Sequence, residues 1–122
     1  MKGGNVDAGF NGEEIAVRYL LLRGYSIERR NYRAGRLEVD IIARDGDCLV
    51  FVEVKLRKSA VFGSALESVL PRQLENIRNA ARGYIQDRGG SAGRLMLRID
   101  LVAIDLIREE DSMVLNHLKG IT

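Results

Sequence analysis

Two apolar runs in this chain carry charged residues. Glu38 and Asp40 lie in Glu38-Val39-Asp40-Ile41-Ile42-Ala43, and Glu53-Val54-Lys55 closes Leu49-Val50-Phe51-Val52. Runs rich in Val, Ile and Phe read as strands buried on one or both faces. An unpaired carboxylate or ammonium buried there is costly, or shifts its pKa until it is neutral. Carboxylates and a lysine converging at one place therefore point to a divalent-metal site. The competing explanation is a buried salt-bridge cluster of Lys55 with Glu53 and Asp40, an arrangement that often contributes little net stability. An Asp followed at a variable distance by Glu-x-Lys is a weak pattern alone, and its weight comes from the elements that carry it.

Asp45-Gly46-Asp47 separates the two charged runs and predicts a hairpin, because Gly and Asp accept the positive φ that tight turns require. A Gly46-Asp47 loop places Asp40 opposite Glu53, whereas an Asp45-Gly46 loop places Glu38 there. In both cases period-two alternation puts Glu38, Asp40, Glu53 and Lys55 on one face, with opposed Cβ atoms roughly 5 Å apart. A three-residue loop without a bulge would separate the two sets.

The flanking elements follow from local signals. Asn11 with Glu14 resembles a capping box opening a helix from Gly12 to Arg23, ended by Gly24. Its inward stripe is Ala16, Val17 and Leu20, and Glu13 sits at the edge of that stripe, while Glu14 has the capping role. A short strand is expected from Tyr25 to Arg29. A basic loop, Arg29 to Arg36 around Tyr32, then leads into the first charged strand. Arg57 to Val69 reads as irregular around Phe62-Gly63. Pro71 suits the first turn of a second helix with Leu74, Ile77, Ala81 and Tyr84 inward and Arg72, Gln73, Asn76 and Arg82 on its other sides. A flexible connector from Arg88 to Gly93 precedes a strand from Leu95 to Leu106, interrupted by Asp100. Met113 to Leu118 forms an edge strand after a turn at Glu109 to Ser112. The order α-β-β-β-α-β implies an α/β fold, a mixed central sheet flanked by helices.

Composition narrows the function classes. A chain of 122 residues, 46% hydrophobic and 30% charged, fits one soluble domain spanning 1–122, with 1–9 and 119–122 as flexible ends. No apolar run reaches membrane-spanning length and the first residues lack a signal-peptide core, so a cytoplasmic protein without membrane partners is expected. One cysteine, Cys48, and one histidine, His117, cannot supply a zinc site. The net charge of +2 does not announce a nucleic-acid binder. Arginine nevertheless dominates the 19 basic residues, and its planar guanidinium suits bidentate phosphate contact.

Gly12-Glu13-x-x-Ala16-x-x-Tyr19-Leu20, Gly24-Tyr25, Arg30-Asn31-Tyr32-Arg33, the two charged runs continued to Arg57, Phe62-Gly63 and Arg98-x-Asp100 together resemble the bacterial UPF0102, or YraN-like, family over nearly the whole chain. That family is similar to the PD-(D/E)xK nuclease superfamily of restriction-endonuclease-like fold, and to archaeal Holliday junction resolvases. The resemblance implies a divalent-metal-dependent endonuclease with Mg²⁺ or Mn²⁺ held by Asp40 and Glu53, Lys55 as the catalytic lysine, and Glu13 and Glu38 as supporting acids. It also implies a nucleic-acid partner, DNA before RNA and branched DNA among the candidates, with phosphates positioned by Arg30, Arg33, Arg36, Arg57 and Gln73. Resolvases act as dimers, so a homodimer fits the resemblance, although no sequence feature marks its face. Leu37 stands where the family usually has glycine, and Gln73 where lysine is common. Two further readings of the same residues stay open: a non-catalytic nucleic-acid-binding module, and a protein-interaction scaffold in which the charged set is structural.

Overall fold

A computed structural model describes residues 11–58, 64–88 and 95–122 of the chain. Asn11 caps helix α1 (Gly12–Leu22) by accepting a 3.2 Å hydrogen bond from the Glu14 amide. The Glu14 carboxylate is turned toward Arg18 and Arg30. Ala16, Val17 and Leu20 are buried, as the stripe predicts. Gly24, at φ 91, turns the chain out of the helix in a conformation that side chains resist.

Five strands follow: β1 (Ser26–Ala34), β2 (Leu37–Asp45) and β3 (Cys48–Arg57), then, after helix α2 (Pro71–Asp87), β4 (Met96–Ile107) and β5 (Ser112–Leu118). They form one sheet in the order β1-β2-β3-β4-β5, parallel only between β3 and β4. Parallel neighbours need a crossover rather than a hairpin, and the segment containing α2 makes it. Ala16, Val17 and Leu20 of α1 pack on Ile41, Ala43, Val50, Val52, Val102 and Ile104. On the other face, Ile77, Ala80, Ala81 and Tyr84 of α2 pack on Ile42, Leu49, Phe51 and Ile99. The domain is thus a mixed α/β sheet between two helical layers, the architecture expected of a restriction-endonuclease-like fold. It also explains why Leu49 to Val52 is apolar without interruption, since the strand is covered on both faces.

Three expectations need correction. The basic segment is not a loop: β1 runs through Arg30 and Arg33 to Ala34, pairing Ala34 with Leu37 across a turn at Gly35 and Arg36. Gly35, at φ 64, permits that turn, and ladder pairing overrides the poor strand propensity of the arginine-rich stretch. Asp100 does not interrupt β4. Its fully buried carboxylate accepts two hydrogen bonds from Arg98 (2.8 and 2.9 Å), one from His117 Nε2 (2.7 Å) and one from the Gly120 amide (3.0 Å). Residues 119–122 are fastened rather than loose, because the Ile121 amide donates to the Ile99 carbonyl and its side chain packs on the core. The expected flexible start at 1–9, Phe62-Gly63 and positions 89–93 of the expected connector lie outside the described residues. Among the described residues no helix is long and apolar enough to cross a membrane.

Burial by itself pushes Asp100 up, but the donors from His117, Arg98 and Gly120 outweigh it and hold the carboxyl below its ordinary value of 3.8. The stability it contributes is therefore present above that value and lost on acidification through the lowered one. Asp100→Ala removes the carboxylate that Arg98, His117 and the Gly120 amide share, leaving Arg98 only Tyr25 and Asp45 and His117 only Tyr19, and should destabilise the fold by about 3 kcal/mol. Urea unfolding at neutral pH checks this; a loss of a few tenths would show that the cluster does not tie β5 to the sheet.

Candidate functional site

The pairs Asp45↔Cys48 through Ile41↔Val52 give a two-residue Gly46-Asp47 loop, the register that carries Asp40 opposite Glu53. At that point the strands part. The Asp40 Oδ2 accepts the Val54 amide at 2.8 Å, so a side chain satisfies a donor the ladder no longer serves. Glu53 shares strand parity with Phe51 and thus points to the α2 face. Arg36, Leu37, Glu38, Asp40, Glu53, Gln73, Asn76 and Ile77 line a cleft there, bounded by the first turns of α2. Lys55 Nζ lies 3.5 Å from Glu53 Oε2.

The electrostatics of this cleft are unfavourable for the ionised acids. Burial pushes the Glu53 carboxyl up to about 6, the Asp40 charge adds to the rise, and Lys55 opposes it. Burial likewise raises Asp40, against the Val54 hydrogen bond, with Glu13 and Glu38 adding repulsion. A bound cation would reverse that penalty. Among the described residues no group of three or more His, Cys, Asp or Glu side chains is placed to hold a metal ion, so Glu13 and Glu38 do not join Asp40 and Glu53 in one ligand set. Asp40 and Glu53 instead fit a cation that takes one or two carboxylates and completes its shell with water and phosphate oxygens, as Mg²⁺ does.

The remaining predicted residues divide. Glu38 lines the cleft and is paired with Arg33 at 3.2 Å, both substantially exposed, and Arg36 is exposed at the same opening. Gln73 also lines it, but its Oε1 accepts the Leu70 amide at 2.9 Å and so caps α2. Glu13 stands at the edge, held by Asn31 Nδ2 at 2.9 Å and 3.6 Å from Arg30, close enough for its charge to act on Asp40. Two arginines are committed elsewhere. Arg30 lies against Glu14 at 3.0 Å, on the α1 side. Arg57 forms a bidentate pair with Asp105, at 2.6 and 3.0 Å, because the parallel register places those residues side by side. Each would have to share its guanidinium between that carboxylate and a phosphate, as would Arg33, which is paired with Glu38.

Sequence reasoning missed Asn31. At φ 52 it sits between the pairs Arg30↔Ile41 and Tyr32↔Val39. This left-handed residue lets Arg30 face α1 while Tyr32 joins the α2 cluster, and its amide fixes Glu13. Asparagine's tolerance of that conformation was the available signal, and the surrounding arginines obscured it. Asn76, assigned only to an outer face of α2, is also a wall of the cleft.

The description "Uncharacterised protein family UPF0102" belongs to the family model that matches residues 12–104. A UPF0102 protein of Syntrophomonas wolfei is 36% identical over 114 residues, covering 93% of this chain and 96% of the relative. One from Streptomyces coelicolor is 40% identical over 111 residues, covering 90% and 84%. One from Chlorobaculum parvum is 46% identical over 96 residues, covering 79% and 73%.

Two substitutions test the strain in this region. Glu53 titrates higher in the fold than its ordinary 4.5, so the stability due to its neutral form is present below 4.5 and lost as pH rises through about 6. At about 1.36 kcal/mol per pKa unit, Glu53→Gln should gain on the order of 2 kcal/mol over wild type in metal-free buffer at alkaline pH. The gain should vanish in acid; thermal unfolding at the two extremes reads it, and equal midpoints at alkaline pH would refute the penalty. Asn31→Ala should cost about 1–2 kcal/mol from the left-handed backbone, with Asn31→Gly closer to wild type. Denaturant titration distinguishes them, and equal losses would mean that backbone strain is not the cause.

Proposed function

The chain belongs to the uncharacterised protein family UPF0102, and from that premise we propose that it is a Mg²⁺- or Mn²⁺-dependent endonuclease acting on DNA in preference to RNA. The observation that carries the reading is the pairing of two desolvated carboxylates, Asp40 and Glu53, in one open cleft with Lys55 beside them. Perturbed acids that the fold leaves in a cleft without a full set of partners suit catalysis better than stability.

Asp40 and Glu53 are the residues that would hold the cation. When bound, it supplies Lewis-acid polarisation of the scissile phosphate and a more acidic water. Lys55 orients the attacking water and offsets negative charge developing on the phosphoryl oxygens. Arg36, exposed at the cleft, and Arg33, exposed beside it and paired with Glu38, would position the strand through its phosphates. The water oxygen bonds to phosphorus as its proton passes to solvent, the P–O3′ bond breaks, and the leaving oxygen takes a proton from solvent, giving a 5′-phosphate and a 3′-hydroxyl. Glu13, oriented by Asn31, adds negative potential on the α1 side and strengthens cation binding from outside the closest pair.

The deciding experiment incubates duplex, single-stranded, flap and four-way-junction DNA and single-stranded RNA with the protein and Mg²⁺ or Mn²⁺. Wild type should cut at least one DNA, and Asp40→Asn and Lys55→Ala should each lower the rate by on the order of 10²-fold or more. Full activity in either variant would remove that residue from catalysis. Salt-sensitive binding that survives both substitutions, with no cutting by wild type, would identify a binding module instead.

A further inference from the structure

We propose that the protein forms a two-fold dimer by antiparallel pairing of β5 with β5 of a second copy. The two edges of the sheet differ in kind. β1 carries Glu28, Arg29, Arg30 and Arg33, and the left-handed Asn31 interrupts its regular ladder. Charges and irregularities of this kind block association between strand edges. β5, at the opposite edge, contains no Asp, Glu, Lys, Arg or Pro. Its one titratable side chain, His117, is turned inward to Asp100 and Tyr19. Among the described residues no strand pairs with its outer side, so it presents a row of backbone donors and acceptors for strand addition.

Apolar groups flank that edge. Met113 and Val114, on opposite faces as successive strand residues, are each 43% exposed. Tyr19 of α1 touches His117 of β5, and Leu22, one helical turn further on the same side, is 88% exposed. A neighbouring sheet edge would cover apolar surface as well as satisfy the backbone.

Charge placement selects a second copy as the occupant. An antiparallel pair centred on Leu115 sets Val114 against Asn116 of the second copy and Met113 against His117 of the second copy. One position beyond each end of the paired strands, Asp111 and Lys119 of the second copy become neighbours, and the symmetry makes that approach twice. Both residues are exposed. A parallel arrangement would align the acidic turn, Glu109 to Asp111, with its own copy, and like charges so opposed are destabilising. The two-fold axis of such a pair is perpendicular to the sheet, so both α1 helices share one face and both acidic clefts the other, unobstructed. The interface is isologous and independent of the nuclease reading.

Sedimentation velocity of the full chain at micromolar concentration, without metal or nucleic acid, tests this. Wild type should sediment as a dimer of 13.6 kDa subunits, and Val114→Lys as a monomer with an unchanged circular dichroism spectrum. Lys119→Glu should raise the dimer dissociation constant about tenfold, equivalent to about 1.4 kcal/mol. Adding Asp111→Asn, which suits the left-handed backbone there, should recover the part of the affinity lost to Glu–Asp repulsion. A monomeric wild type overturns the dimer. A dimer indifferent to Val114→Lys, or a Lys119→Glu defect that Asp111→Asn does not relieve, overturns the β5 interface and its register.

Discussion

With only Gly46 and Asp47 between them, β2 and β3 have no freedom in how they align, and that register governs what the rest of the molecule can do. A slip of one residue would exchange the faces of a strand, moving Phe51 from the α2 core to the α1 core and turning Glu53 away from Asp40. Because Leu49 to Val52 is covered on both sides, the helices would resist such a slip through the shapes of their cores as well as through lost hydrogen bonds. Beyond Ile41↔Val52 the Asp40 carboxylate takes over the Val54 amide. The acid is thereby held where the strands open, with its remaining valences toward the cleft.

Buried acids meet two different fates here. Asp100 is surrounded by donors, and they outweigh its burial and hold its pKa down. Asp40 and Glu53 are also desolvated, but they face each other and Glu38 with Lys55 as the nearby cation, and their pKa values rise. The first arrangement ties β4, β5 and the C-terminal residues together. The second stores unfavourable electrostatics in an open cleft, a cost that a divalent cation and a polyanion would each alter. The fully buried Asp100 thus belongs to a structural group, and the partly exposed Asp40 and Glu53 to a candidate reactive one.

The arginines divide in a similar way, and counting them overstates the surface available to phosphates. Arg57, Arg98 and Arg30 are held by carboxylates inside or along the fold. Arg36, and Arg33 in its exposed pair with Glu38, stay near the cleft on the β1–β2 hairpin. A net charge of +2 is compatible with a local positive rim beside the acids, since charge is organised by neighbours rather than by the total.

Local sequence rules were sufficient for the capped first helix, the Pro71 start of the second, the two-residue hairpin and the shared face of Asp40, Glu53 and Lys55. Each depends on residues close in the chain, where backbone preference and periodicity act directly. The resemblance added the family and the restriction-endonuclease-like architecture. Only the tertiary structure turned the arginine-rich segment into strand β1, because ladder partners on β2 decide whether such a stretch is extended and paired. Only it committed Arg57 to Asp105 and built the Asp100 cluster from Arg98, His117 and Gly120. These choices join positions brought together by the parallel β3–β4 register or by the return of β5 to β4. A charged side chain's partner, and hence whether it remains available to a ligand, is set by folding across those distances rather than by its neighbours in sequence.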